Sequence, residues 1–139
     1  MKNKGVLLLL EQTVMLLVFA LAALACLRAF LWADTASRQL SARDEAMLQA
    51  QNAAEVFKHF RGDGAAAAGQ MGGSWDGAAW EILYDESWQL TDEQPRYTLR
   101  VAPEKSEPAY LGQAEVTVSQ SAAELAALNV CWQEVFPDE

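Results

Sequence analysis

Hydrophobic and polar positions change their spacing along this chain, and the changes divide it into segments. Residues 5–32 read GVLLLLEQTVMLLVFALAALACLRAFLW, a nearly unbroken apolar run with no proline and no internal glycine. Leu and Ala dominate it, and both favour helix. From Ala33 to Arg61 the apolar positions fall at helical spacing: Ala36, Leu40, Met47, Ala50, Ala54 and Phe57, with Arg43 in the gap. Ala53, Val56, Phe57 and Phe60 thicken that stripe toward its end. The second half of the extension is therefore expected to pack on something, and the first half to stay exposed. Gly62 follows Lys58 and Arg61, a helix stop with basic residues in the last turn.

Beyond Gly62 the helical spacing ends. The segment GDGAAAAGQMGGSWDG (62–77) reads as a glycine-rich connector, with Ala65–Ala68 able to form one helical turn and little else ordered. Then the period becomes two. Trp80, Ile82 and Tyr84 alternate with Glu81, Leu83 and Asp85. Asp85-Glu86-Ser87 reads as a turn, and Trp88–Thr91 as the chain returning. Tyr97, Leu99 and Val101 form a second alternating set, Ala114, Val116 and Val118 a third, and Leu128, Val130 and Trp132 a fourth. Pro103 and Pro108 are expected to bound a loop, and Ser121–Ala127 to allow a helical turn before the last strand. Half-buried strands with short connections point to an antiparallel meander. Its apolar face needs a cover, and the end of the long helix is the available one. The expected fold class is α+β: a long N-terminal helix, first membrane-spanning and then amphipathic, packed on a small antiparallel sheet. The boundaries are a basic leader at 1–5, a span at 6–32, a helix extension at 33–61, a connector at 62–79 and a sheet head at 80–139.

At about 1.5 Å per residue the apolar run exceeds a hydrocarbon core of about 30 Å. Lys2 and Lys4 precede it, so the positive-inside rule places the N-terminus in the cytoplasm and the head outside. Lys2, Lys4 and Trp32 are the expected interface residues, and the lipid bilayer is the first expected partner. Two processing readings compete with an intact anchor. Ala23-Leu24-Ala25 offers a signal-peptide cleavage site, and Ala25-Cys26 faintly resembles a lipoprotein site. Against both, the apolar pattern runs on through Leu27, Phe30, Leu31 and Trp32. Glu11 is the anomaly, because an ionisable residue inside a span is a functional-site hypothesis by default.

Charge changes the picture in the head. The formal net charge of the chain is −9. From Asp34 to Arg61 four basic and four acidic residues cancel, whereas from Gly62 to Glu139 three basic residues face fourteen acidic ones, a balance of −11. Direct nucleic-acid binding by this head is not expected, since phosphate contacts want a basic face. The cysteines, Cys26 and Cys131, have no zinc spacing, and Cys131 reads as a small buried or half-buried residue. His59 has no partner motif and reads as a solvated helix residue. The pairs Asp85-Glu86 and Asp92-Glu93 lack a calcium-loop signature and read as turn charges. Trp80 and Trp132 alternate inward as core, and Trp75, in the connector, is the best candidate for an exposed contact. No enzyme constellation is found, so neither catalysis nor a cofactor is expected.

Lys2, Lys4 and Gly5, an apolar helix with Glu11 near its start, an exposed extension and a small antiparallel sheet together resemble the type IV pilin-like proteins. The nearest likeness is to the minor pseudopilins of type II secretion or competence systems. The segment Gln49-Ala50-Gln51-Asn52-Ala53-Ala54-Glu55 is similar to an Ala/Gln-rich stretch common among minor members. The resemblance implies a filament subunit that stands in the membrane, packs through its helix against other pilin-like subunits, and reaches the cell surface if assembled. It also implies a prepilin peptidase that cuts between Gly5 and Val6 and methylates the new N-terminus. Glu11 then becomes the assembly contact. This chain has Val6 where the family usually has Phe or Met, and Glu11 stands sixth after the cut rather than fifth. The competing reading is a membrane-anchored or secreted binding module that forms no filament.

Overall fold

The computed structural model describes residues 2–105, 107 and 110–134. The chain divides into two compact units, Met1–Ser41 and Ala42–Glu139. Helix α1 runs Lys2–His59. The second unit contains its C-terminal part, helix α2 (Gly64–Met71) and strands β1 (Ser74–Trp75), β2 (Trp80–Tyr84), β3 (Tyr97–Glu104), β4 (Leu111–Gln120) and β5 (Ala123–Gln133). The five strands form one antiparallel sheet in the order β1-β2-β3-β4-β5, a meander.

The α+β reading holds, with a long N-terminal helix packed on a small antiparallel sheet. All eight inward positions expected from the alternation are buried: Ile82, Tyr84, Leu99, Val101, Val116, Val118, Val130 and Trp132. Register explains why they meet. Ile82 lies opposite Leu99, Leu99 opposite Val118, and Val118 opposite Ala126, so one row of apolar side chains crosses four strands.

The cover is the end of α1. Ala46, Ala50, Ala53, Ala54 and Phe57 are buried in the same core cluster as the strands. Four alanines and Phe57 make up the face that α1 contributes to this core. Its ring is fully buried, stacked near Trp80 at 6.3 Å between centroids and edge-to-face with Trp132 at 5.4 Å. Leu40, in the first half of the extension, is 61% exposed as expected, and the stripe is adjusted at one place: Met47 is 37% exposed, while Ala46 beside it is buried.

α1 ends in a Schellman motif. The Gly62 N–H donates to the Phe57 carbonyl and the Arg61 N–H to the Lys58 carbonyl, each at 3.0 Å. Arg61 takes the left-handed conformation at φ 50° and Gly62 follows at 84°. The stop is therefore one residue earlier than the glycine suggests.

Three expectations about loops are corrected. The connector is ordered: Asp63 caps α2 by accepting the Ala65 and Ala66 N–H groups, both at 3.1 Å, and the first strand lies within it. Asp76 likewise accepts the Ala78 and Ala79 N–H groups at 2.7 Å in the β1–β2 turn. Those two bonds, Ala79's first, hold its carboxyl below the ordinary 3.8. Trp88–Thr91 is not a strand. A single bridge joins Leu90 to Tyr84, and Trp88, at φ 59°, turns back to stack on Tyr97 with centroids 4.0 Å apart. Ser121–Ala127 is not a helical turn, because β5 begins at Ala123 and a register shift at Val118/Ser119 absorbs the irregularity. Pro103 lies inside β3, and Pro108 and residues 135–139 of the head lie outside the described residues.

Trp132 rests on Gly112, its cross-strand partner. A Cβ at Gly112 would come within 2.1 Å of the indole, so the ring lies where any side chain on Gly112 would stand. The indole N–H is buried without a hydrogen-bond partner among the described residues. Trp80 instead donates its Nε1–H to the Gly72 carbonyl at 2.8 Å.

Two outcomes follow from this packing. Phe57→Ala should lower the stability of the head by about 3–5 kcal/mol, because it empties the space between two indoles. Urea unfolding followed by tryptophan fluorescence measures this, and a loss under about 1 kcal/mol would contradict the packing. The β4–β5 hairpin turns at Ser121 and Ala122, with φ of 47° and 69°. A two-residue turn with both residues left-handed favours Asn-Gly, and neither residue here suits it. Ala122→Gly should raise the stability of the head by about 1 kcal/mol in the same assay, and a lower melting temperature would contradict the turn assignment.

Candidate functional site

In the first unit, residues 3–35 are exposed at every position. Phe19 is 79% exposed and Trp32 76%, and leucines lie on all sides of the helix. A helix apolar all round is not stable facing water, and the described residues supply no cover for it. It is the one helix among the described residues long and apolar enough to cross a membrane.

The structure places the expected site residues on this segment. Gly5 and Val6 lie in its first turns with nothing packed against them, and a Cβ at Gly5 would meet no atom within 4 Å. Lys4 is exposed near the start and Trp32 near the far end. Glu11 is exposed and has no hydrogen-bond or ion-pair partner among the described residues. The neighbouring Thr13 is satisfied internally, with its hydroxyl donating to the Leu9 carbonyl at 2.7 Å. Glu11 is thus, like Gln12 beside it and Arg28 further along, a polar side chain without a partner among the described residues, and it is the acidic one inside the apolar run.

Arg28 is a charged residue of the run that the reading by pattern passes over. It stands within the apolar run, is exposed, and bounds with Glu11 a stretch of sixteen uncharged residues, 12–27. Seventeen steps from Glu11 to Arg28 span about 25 Å, somewhat less than a hydrocarbon core of about 30 Å. A guanidinium on a long apolar stem can snorkel to the outer boundary, where Trp32 stands one turn further on. The signal was present in the sequence, but the length of the run concealed it. Beyond the span, Asp34 and Arg38 pair at 3.0 Å on an exposed face, a contact of small energetic weight.

The head offers less. His59 is exposed and touches Phe60 edge-to-face. Asp85 uses its carboxylate to accept the Ser87 and Gln89 N–H groups at 2.8 and 3.0 Å, which fixes its own turn. Among the described residues no group of three or more His, Cys, Asp or Glu is placed to hold a metal. Trp75 is half-buried against the core, its ring seated over Gly64, and is not the free contact expected of it. Cys131 is exposed on β5, not buried as expected, and both cysteines are free. Tyr84 reaches from the sheet to α1, donating to Gln49 Oε1 at 3.4 Å, and burial pushes its phenol above the usual 10.0.

Comparison of the chain with family models, with curated proteins and with solved structures finds no match. The fold is consistent with a generic pilin-like architecture, and the functional reading rests on the chain's own geometry.

Proposed function

We propose that this protein is a membrane-anchored, pilin-like structural subunit that assembles through its N-terminal helix into a filament of the pilus or pseudopilus type. The observation that carries the reading is the uncovered apolar helix with Glu11 unpartnered inside it. Lipid alone satisfies the leucines. It does not satisfy a carboxylate, which makes insertion less favourable by up to a few kcal/mol if it sits deep. A span that only anchors gains nothing from such a residue. A span that must find a neighbour gains a polar contact in a medium that offers few.

In this reading Lys2 and Lys4 hold the N-terminus in the cytoplasm, the head stands outside, and the partners are the bilayer and other pilin-like subunits. A prepilin peptidase cutting at Gly5–Val6 would place a new, positively charged amine on Val6, five residues before Glu11. That amine, from the same or an adjacent subunit, is the natural counter-charge for the carboxylate. The role is structural and not catalytic, in a secretion or competence machine.

Glu11→Gln and Glu11→Leu should insert as well as the wild type or better, yet fail to enter an assembled complex. Cross-linking to partner subunits, with a topology reporter fused after Glu139, separates the two properties. If both variants assemble like the wild type, Glu11 is not an assembly contact and the filament reading loses its main support.

A further inference from the structure

The two edges of the sheet are treated differently. β1 is two residues long, with α2 against it and Trp75 seated over Gly64. β5 is eleven residues long, against an average of about five or six, and β4 is its sole hydrogen-bonded neighbour among the described residues. The usual guards of an exposed edge are a proline, an inward charge, a lysine or a bulge. β5 has no proline and no basic residue, its one acid is Glu124 beside the turn, and the register shift is confined to that end. Residues Ala126–Gln133 are a regular, uncharged edge of eight residues.

We infer that this edge is a docking surface for an extended segment of another protein, added as a sixth strand beside β5 and carrying basic residues at every second position. Main-chain hydrogen bonding supplies the docking, and the two faces supply the choice of side chains. On the core face the newcomer meets Leu125 and Leu128, both half-buried at the rim, which favours apolar residues. On the outer face it meets Ala127, Asn129 and Cys131, with Glu115 one strand further in, opposite Asn129. Neither β4 nor β5 carries a lysine or arginine. Acidic Glu124 and Glu134 bracket the edge, and the chain from Gly62 onward has a balance of −11. That charge repels a second copy of the head and attracts a cationic strand. The inference does not depend on how the N-terminal helix assembles.

The test uses the full chain in detergent micelles and a synthetic peptide alternating lysine and valine. Calorimetry should show binding, and hydrogen exchange should show new protection confined to the β5 amides. A glutamate–valine peptide should bind at least roughly tenfold more weakly, and a lysine–valine peptide N-methylated at alternate residues should not bind. Ala127→Lys, on an exposed position, should weaken binding by roughly tenfold or more with the melting temperature unchanged. Equal binding of the methylated peptide, protection elsewhere than β5, or no binding would overturn the inference. Concentration-dependent protection of β5 without any peptide would also overturn it, since the occupant would then be a second copy.

Discussion

Phe57 stands between Trp80 and Trp132, and the head depends on that contact. The sheet has one apolar face, and within the second unit the alanine face of α1 lies over it. Ala46, Ala50, Ala53 and Ala54 contribute little area each, and one phenyl ring beyond them bridges two indoles. The constraint propagates outward. Trp132 can lie flat only because Gly112 has no side chain, and Trp80 finds its hydrogen bond at Gly72, where α2 ends. The Schellman turn at Arg61 and Gly62 then releases the chain just after Phe57, so the helix ends where its covering role ends.

Much of this was legible in the sequence, and the reasons are physical. Period-two alternation identified every inward strand residue expected of it, because a half-buried strand cannot slip by one position without turning its whole apolar set to water. What failed were the places where one residue's conformation overrides local pattern. Trp88 takes a positive φ and folds back onto Tyr97, so Trp88–Thr91 only resembles a strand. Ser121 and Ala122 make a hairpin turn without turn residues, which hid the start of β5. The glycine-rich connector looked disordered by composition, yet Asp63 and Asp76 each collect two backbone N–H groups and set its shape. On α1, the helical stripe pointed to Met47, and the core took Ala46 beside it.

The candidate site was legible in part. Glu11 was visible as an exception inside an apolar run, and the structure shows it exposed and without a partner among the described residues. Arg28 was overlooked because the run around it is so long. With both charges considered, the uncharged stretch shortens to sixteen residues, with a carboxylate at its start and a guanidinium, then Trp32, at its end.

The account rests on residues 6–32 remaining attached to the head while the basic leader is removed, since only then do Glu11 and a new amine face the same membrane boundary. Intact-mass spectrometry of the protein extracted from its native membrane tests this directly. The account predicts a chain that begins at Val6 with a methylated amine. A chain beginning at Cys26, which lacks Glu11 and most of the span, or one retaining the leader from Met1, would contradict it.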